Sequence, residues 1–241
     1  MVGIIGCGEV AQVVHIPTLS CLSERFRITY LCDVSAQAVS HASTKVLYSP
    51  AHPAVQTTQS AATLCSSPSV EVVFVLGSDE YHAEHVLLAL RNGKHVFVEK
   101  PMTLTRQDAE AVIAAEKASP GRVMVGYMRR YAAVFQDAVK EIGGMDKIIY
   151  ARVRDIIGEN ATFVAQSGTF PKKFCDHEEG SGGGTAERAQ RWESMAREAI
   201  EGAGAPFTEG TSRMWRCLTG WVFSSTPRYH KIVSSEGRGL R

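Results

Sequence analysis

The sequence lacks the patterns that mark metal-binding and disulfide-rich proteins. Its six cysteines stand apart, at positions 7, 21, 32, 65, 175 and 217, and none forms a CxxC pair. No HExxH or His-x-His pattern lies near them. We therefore expect no zinc site and no disulfide framework, and reduced thiols in a cytoplasmic protein are the simpler interpretation.

Excess charge and long apolar segments are absent as well. With 26 Lys and Arg against 25 Asp and Glu, the net charge of +1 gives no global field for nucleic acid or an anionic membrane. An apolar run such as Val72 to Leu76 is far too short to cross a bilayer. No basic residues precede the apolar amino terminus, so a signal peptide is not expected. Nucleic acid and membranes are thus not expected partners.

The overall composition and length are typical of a globular protein. The 241 residues are 44% hydrophobic and 21% charged, which is enough to bury a core. At roughly 150 residues per domain, this length predicts about 1.6 domains.

The first half alternates short β-rich runs with helical patterns. This order predicts an α/β fold, a Rossmann-type doubly wound parallel sheet over residues 1–145. The predicted strands are Val2–Ile5, Ile28–Cys32, Val70–Gly77, His95–Glu99 and Arg122–Tyr127. The predicted helices are Glu9–Ser23 with a break at Pro17, Ser35–Lys45, Glu80–Asn92, Thr105–Ala118 and Tyr131–Ile142, and residues 46–58 are predicted to be irregular.

The pattern changes in the second half. Residues 147–157 resemble a longer strand, residues 178–184 are polar and glycine-rich, and residues 186–202 form an amphipathic helical pattern. We expect residues 146–218 to be an incomplete α+β substrate domain. Residues 219–241, rich in Ser, Gly and Arg, are predicted to be an irregular tail.

A dinucleotide-binding fingerprint follows the first predicted strand. Gly6-Cys7-Gly8-Glu9-Val10-Ala11 fits the GxGxxG/A pattern between a strand and a helix. Gly6 permits the tight turn, Gly8 lets the backbone approach a pyrophosphate, and Ala11 allows close packing of the helix on the strand. The first turn of that helix, which includes Glu9 and Val10, offers N–H groups to phosphate. The alternative is a glycine-rich turn that binds no nucleotide.

Asp33 ends the second predicted strand, where a carboxylate can bind the hydroxyls of a ribose. Its charge also repels a 2′-phosphate, which slightly favours NAD. Ser35 and Lys45 could still accommodate NADP, so the cofactor is predicted to be NAD or NADP. A simple turn residue is the alternative for Asp33.

Two further strand ends carry polar clusters, and ligands of parallel sheets bind at such ends. Gly77, Ser78, Asp79 and His82 follow one strand, and Glu99-Lys100-Pro101 follows another. Lys100 is placed to exchange a proton with a substrate hydroxyl. His82 could orient the nicotinamide or pack at a helix start, and Glu99 could bind the cofactor or pair with a neighbouring group. His15 is predicted to be a packing or surface residue.

These segments together resemble the Gfo/Idh/MocA oxidoreductase family, named for glucose–fructose oxidoreductase and inositol dehydrogenase. The matching pieces are Gly3–Gly8 with Ala11, Cys32-Asp33, Gly77–His82, Gly93–Met102 and Gly126–Tyr131, and the most specific is Glu99-Lys100-Pro101. The resemblance covers about residues 1–157.

The resemblance implies a Rossmann domain followed by an α+β domain that covers the nicotinamide and often forms an oligomer interface. It implies hydride transfer between NAD or NADP and a sugar, polyol or related carbinol or carbonyl compound. The residue matching Lys100 contacts substrate and cofactor, and the segment containing Arg129 lies near both. A homo-oligomer is therefore a possible assembly.

The sequence departs from the family pattern in two places. Gly77-Ser78-Asp79 stands where Thr-Pro-Asn is usual, which adds a negative charge. The Asp-x-x-x-His motif that carries the usual acid/base does not occur after residue 150. The residues after 157 are also fewer than the 150–200 or so of a second domain. We therefore expect a shortened family member with weak or no turnover.

Two other readings stay open. A non-catalytic dinucleotide-binding sensor or regulator would keep the fingerprint without the acid/base. A truncated product without a stable second domain would expose Trp215, Trp221 and Phe223 to solvent.

Overall fold

The computed structural model describes residues 1–47, 53–143, 148–150, 152, 160–176 and 185–219, without the side chains of 185 and 216–219. Within these ranges six strands form one sheet in the order β3-β2-β1-β4-β5-β6. All neighbouring strands are parallel. The strands are β1 (Val2–Ile5), β2 (Ile28–Cys32), β3 (Gln56–Thr58), β4 (Val72–Val75), β5 (His95–Val98) and β6 (Val123–Val125).

This strand order is that of the doubly wound dinucleotide-binding fold, which confirms the predicted fold class for this part of the chain. The central strands are apolar because helices cover both faces of the sheet. All four residues of β1 are buried. Two hydrophobic clusters lie on the sheet, one around Val73, Val86 and Leu90 and the other around Ile4, Ile16 and Leu31.

The helices that cover the sheet begin at hydroxyl side chains, as helix amino termini commonly do. Ser35, Ser60 and Thr105 each accept a hydrogen bond from the backbone N–H three residues later. A π-helical turn, Ala11–His15, leads into α1 (Ile16–Cys21), and the later helices are α2 (Ala36–Ser43), α3 (Ala61–Ser66), α4 (His82–Arg91), α5 (Arg106–Ala118) and α6 (Ala133–Ile142).

One part of the predicted order was wrong. Residues 46–58 were expected to be irregular, but Gln56–Thr58 forms the edge strand β3 and pairs with β2. This strand is short, polar and mostly exposed, so it has no apolar alternation to reveal it. Helix α3 follows it and was not predicted either.

The described part of the second half contains three helices, α7 (Asn160–Gln166), α8 (Thr185–Gly202) and α9 (Glu209–Thr219). The amphipathic pattern of residues 186–202 is thus confirmed as α8. Trp192 and Ala196 of α8 are buried against Leu104, and Trp215 packs on the same cluster. Trp215 is therefore half-buried, whereas the alternative of a truncated product without a stable second domain would expose it. Trp221, Phe223, the loop 178–184, the tail 220–241 and most of the predicted strand 147–157 lie outside the described residues.

Helix α8 is also fixed by ionic contacts with the sheet domain. Arg188 Nε donates to Glu80 Oε1 at 2.6 Å, and the side chain of Glu80 is fully buried. Arg191 donates to the Glu80 carbonyl and to Glu84, and its guanidinium lies 4.3 Å from the centre of the Tyr81 ring. Within the described ranges, no helix has the length and hydrophobicity that crossing a membrane requires.

Candidate active site

The carboxyl ends of β1, β2, β4 and β5 meet at one edge of the sheet. Ile5 pairs with Cys32 on one side and with Val75 on the other, and Val75 pairs in turn with Val98. The residues that follow these strands are therefore side by side, although they come from distant parts of the sequence. This edge contains the switch point at β1, where the strand order reverses and where ligands of this fold bind.

The turn after β1 has the geometry that the fingerprint predicts. Gly6 has φ of +97°, and a Cβ added to it would lie 2.5 Å from the Gly77 nitrogen. Only glycine fits there, because a side chain would collide with the backbone after β4. Gly8 is the opposite case, since among the described residues no atom lies within 4 Å of an added Cβ. Its backbone is thus open on the side from which a ligand would approach.

Asp33 is fixed beside this turn. The Cys7 N–H donates to Asp33 Oδ2 at 2.7 Å, and the Ser35 N–H donates to Asp33 Oδ1 at 2.9 Å. Each carboxylate oxygen has two acceptor positions, so both oxygens keep one for a further donor such as a ribose hydroxyl. The carboxylate thus links the turn after β1 to the start of α2.

The segment after β4 contains the buried His82 and the carboxyl group of Asp79, and the two interact electrostatically. The ring nitrogens of His82 lie 2.7 Å from the Pro101 carbonyl oxygen and 3.1 Å from the Gly77 carbonyl oxygen. His82 therefore ties the loop after β4 to the loop after β5. Burial raises the pKa of the Asp79 carboxyl to about 6, although His82 and Lys100 act to lower it. Gly77 and Ser78 are half-buried at the same edge.

Glu99 has internal partners for both of its oxygens. His15 Nε2 lies 2.8 Å from Oε1, and the Lys100 N–H donates to Oε2 at 3.1 Å. Burial acts to raise the pKa of Glu99, but the hydrogen bond from His15 and the contacts with Lys100 outweigh it and lower that pKa. These contacts fix the backbone at Lys100, whose own side chain is exposed at the edge and which precedes a cis peptide bond to Pro101.

The structure brings most of the predicted site residues to this edge. Glu9 and Val10 are half-buried at the start of the first helix, and Glu9 accepts a hydrogen bond from Asn160 at 3.0 Å. Arg129 is exposed in the 3-10 turn Met128–Tyr131, just beyond β6. Lys45 instead follows the far end of α2, where its Nζ donates to the Thr169 carbonyl oxygen at 2.8 Å. Lys45 thus lies at the opposite end of α2 from Ser35, and its part in accommodating NADP stays a prediction.

The cysteines at the edge do not have the properties of nucleophiles. Burial raises the pKa of the Cys7 thiol above its usual range and that of Cys32 to about 12, so both stay protonated near neutral pH. The five described cysteines are free thiols, and the described residues contain no cluster of three potential metal-ligating side chains.

The residues present fit a dinucleotide. The open backbone at Gly8 and the helix start behind it suit a pyrophosphate, and the spare acceptor positions of Asp33 suit a ribose. Gly77 also has open space among the described residues where a Cβ would lie, next to the β1 turn. Lys100 is placed further along the edge, beyond β4.

Comparison with known proteins agrees with this geometry. Residues 1–127 match the model of the Gfo/Idh/MocA family, described as an oxidoreductase family with an NAD-binding Rossmann fold. The chain belongs to this family. The resemblance inferred from the sequence motifs is thereby confirmed, and Gfo/Idh/MocA proteins are enzymes of the oxidoreductase class.

Among Gfo/Idh/MocA relatives, inositol 2-dehydrogenase 3 of Saccharopolyspora erythraea is 34% identical over 142 residues, which are 58% of this chain and 39% of the relative. The scyllo-inositol 2-dehydrogenase (NAD(+)) of Bacillus subtilis is 32% identical over 105 residues, 42% of this chain and 31% of the relative. The structure of myo-inositol dehydrogenase from Lactobacillus casei, in complex with NAD(H) and myo-inositol, superposes with a TM-score of 0.53 at 25% identity. That match covers 59% of this chain and 40% of the Lactobacillus casei chain.

The chain thus spans about two fifths of the length of several relatives that it matches. The family model covers residues 1–127, which include all six strands, and the helices α8 and α9 lie outside that range.

Sequence reasoning missed two residues at the edge. His15 was expected only to pack or to face solvent, but it is the partner of Glu99. It lies four residues after Ala11 and therefore on the same face of the helix, which was the available signal. Asp176 was not among the predicted site residues, yet its carboxylate accepts hydrogen bonds from the Ser35 hydroxyl and the Gln37 N–H at the start of α2. No local pattern indicates a contact over 141 residues.

Proposed function

We propose that this chain binds NAD or NADP across the carboxyl edge of its sheet and uses it in oxidoreductase chemistry on a sugar, polyol or related carbinol. The proposal rests on the turn after β1. There the backbone of Gly8 has open space beside it, and Asp33 accepts a hydrogen bond from the Cys7 N–H and keeps acceptor positions for a ribose. The inositol dehydrogenases among the relatives support the substrate class.

In this function each residue has a defined task. The turn from Gly6 to Val10 would hold the pyrophosphate, and Asp33 would accept hydrogen bonds from the ribose. When bound, the nicotinamide accepts or supplies the hydride. Lys100 would donate a hydrogen bond to the reacting oxygen of the substrate and hold or release its proton, since its backbone is fixed by Glu99.

The other predicted site residues would act around this centre. His82 and Glu99 would keep the loops after β4 and β5 in place, and Gly77, Ser78, Asp79 and Arg129 would border the nicotinamide half of the cofactor. A direct contact of His82, Glu99 or Arg129 with the cofactor stays a prediction.

Turnover by this chain is expected to be weak. The sequence after residue 150 has no Asp-x-x-x-His motif. Lys100 would therefore have to transfer the proton of the reacting substrate oxygen without a second acid/base. The same observation favours a second candidate function, a dinucleotide-binding sensor or regulator that performs no turnover.

The test is a pair of measurements on the purified chain. Thermal stability is followed with NAD and NADP separately, and reduced nicotinamide formation is followed with a panel of polyols and sugars. We expect a cofactor-dependent rise in melting temperature and slow turnover that Lys100→Ala abolishes while binding is retained. Binding without any turnover would favour the sensor. No stabilisation by either cofactor would refute both functions, and robust turnover would refute the predicted weakness.

A further inference from the structure

The amino end of α2 carries a carboxylate from a distant part of the chain. Asp176 Oδ1 accepts a hydrogen bond from the Ser35 hydroxyl, and Asp176 Oδ2 accepts one from the Gln37 N–H at 3.1 Å. Ser35 is the residue that caps α2. Asp176 therefore supplies a negative charge to the start of a helix that lies directly after the ribose-binding Asp33.

The segment that carries Asp176 is held against the domain by several contacts. The Gln12 side chain donates to the Lys172 carbonyl oxygen at 3.0 Å and accepts from the Lys172 N–H at 2.9 Å. Phe174 packs on the core cluster beneath α2, and its ring lies 5.4 Å from that of His41. The contacts of Lys172 and Phe174 thus fix the position of Asp176, which follows them in the chain.

This position matters for the identity of the cofactor. NADP differs from NAD by a phosphate on the 2′-oxygen of the adenosine ribose, next to the residue that ends β2. A helix start at this point is a natural site for that phosphate, because its N–H groups are unpaired and its dipole favours an anion. Here the Gln37 N–H and the Ser35 hydroxyl already serve the Asp176 carboxylate.

We propose that Asp176 is a specificity-determining residue that excludes the 2′-phosphate and makes the chain select NAD; this inference rests on the proposed dinucleotide binding. A 2′-phosphate would meet two carboxylates, since Asp33 and Asp176 both bond to Ser35. The cation that could offset them, Lys45, follows the other end of α2, about 12 Å along an eight-residue helix. Lys172 and His41 line a pocket along α2 that also includes Ala36 and Gln37.

The experiment measures the affinity of the full chain for NADH and for NADPH by isothermal titration, in the wild type and in Asp176→Asn. Asparagine keeps the size and an acceptor oxygen but removes the charge. In the wild type we expect the dissociation constant of NADPH to be at least about tenfold higher than that of NADH. In Asp176→Asn the ratio of these two dissociation constants should fall by about tenfold, because one negative charge near the phosphate is removed. The matched control is Glu110→Gln, which removes an exposed charge on α5 and should leave the ratio unchanged.

The outcomes separate this inference from the proposed function. If neither dinucleotide binds the wild type, the proposed function fails and the inference with it. If NADH binds but Asp176→Asn leaves the ratio unchanged, dinucleotide binding stands and the role of Asp176 is refuted. Titration with 2′,5′-ADP and 5′-AMP, which carry only the adenosine end, gives a second readout, and Asp176→Asn should strengthen binding of 2′,5′-ADP alone. Equal effects on both fragments would contradict the proposal.

Discussion

The sheet domain and the helices that follow it are stabilised in different ways. The sheet domain has two hydrophobic clusters, which include every residue of β1 but Gly3 and most of the buried residues of α2 and α4. Helix α8 is held by one small cluster, Leu104 with Trp192 and Ala196, and by the arginines at Glu80 and Glu84. The proposed dinucleotide site lies in the region with the larger core.

Because the two regions are stabilised differently, we expect substitutions in them to have different effects. The turn after β1 and the loops after β4 and β5 are fixed by backbone contacts within the sheet domain. The residues from the second half, Asp176 and Arg188, add charge at its surface. Substitutions in the first region should therefore affect folding or cofactor binding as a whole, whereas those in the second should affect docking and selectivity.

The largest effect is expected for Gly6→Ala. The new methyl group would lie within 2.5–2.7 Å of the Leu76 and Gly77 backbones, at a φ of +97° that alanine rarely adopts. We expect a loss of about 4 kcal/mol or more in the free energy of unfolding, measured in urea. Gly8→Ala is the matched control and should change it by less than about 0.5 kcal/mol. Equal losses in the two variants would contradict the described turn.

The next effect tests the docking of α8. Arg188→Met leaves the fully buried Glu80 carboxylate without its cation, which should cost about 3–4 kcal/mol. Limited proteolysis should then cut within α8 much faster than in the wild type. The control, Arg106→Met, breaks an exposed pair with Glu110 and should cost less than about 1 kcal/mol. Adding Glu80→Gln to Arg188→Met should restore part of the loss, and no recovery would show that the ion pair is not the cause.

A smaller effect, which depends on pH, is expected at Asp79. Because burial raises its pKa above the unfolded value, to about 6, its ionised form destabilises the fold. That penalty is absent below about pH 4, grows as the pH rises from about 4 to about 6 and is constant at higher pH. Asp79→Asn should therefore raise the free energy of unfolding at pH 7.5, by up to about 3 kcal/mol, and much less at pH 4.5.

The control for Asp79 is Asp137→Asn, an exposed carboxylate on α6, whose effect should be small at both pH values. A gain for Asp79→Asn that is the same at pH 4.5 and pH 7.5 would show that the charge of Asp79 is not the cause.

Much of this architecture could be predicted from local pattern. The apolar strands β1, β2, β4 and β5, the helices α4, α5 and α8 and the turn at Gly6 follow from periodicity and composition, although the predicted strand Val70–Gly77 is longer than the observed Val72–Val75. The edge strand β3 and the contacts of His15 and Asp176 could not be predicted in this way. They depend on pairing across 26 to 141 residues, which leaves no trace in a short window of sequence.

The claim that the carboxyl edge of the sheet binds a dinucleotide is tested most directly by titrating NADH into the purified chain and into Gly8→Val by isothermal calorimetry. Valine adds a side chain in the open space at Gly8, so it should leave the melting temperature of the protein within a few degrees of the wild type. The account predicts saturable binding to the wild type and at least a tenfold weaker affinity for Gly8→Val. Equal affinities in the two proteins, or no binding of NADH or NADPH by the folded wild type, would contradict it.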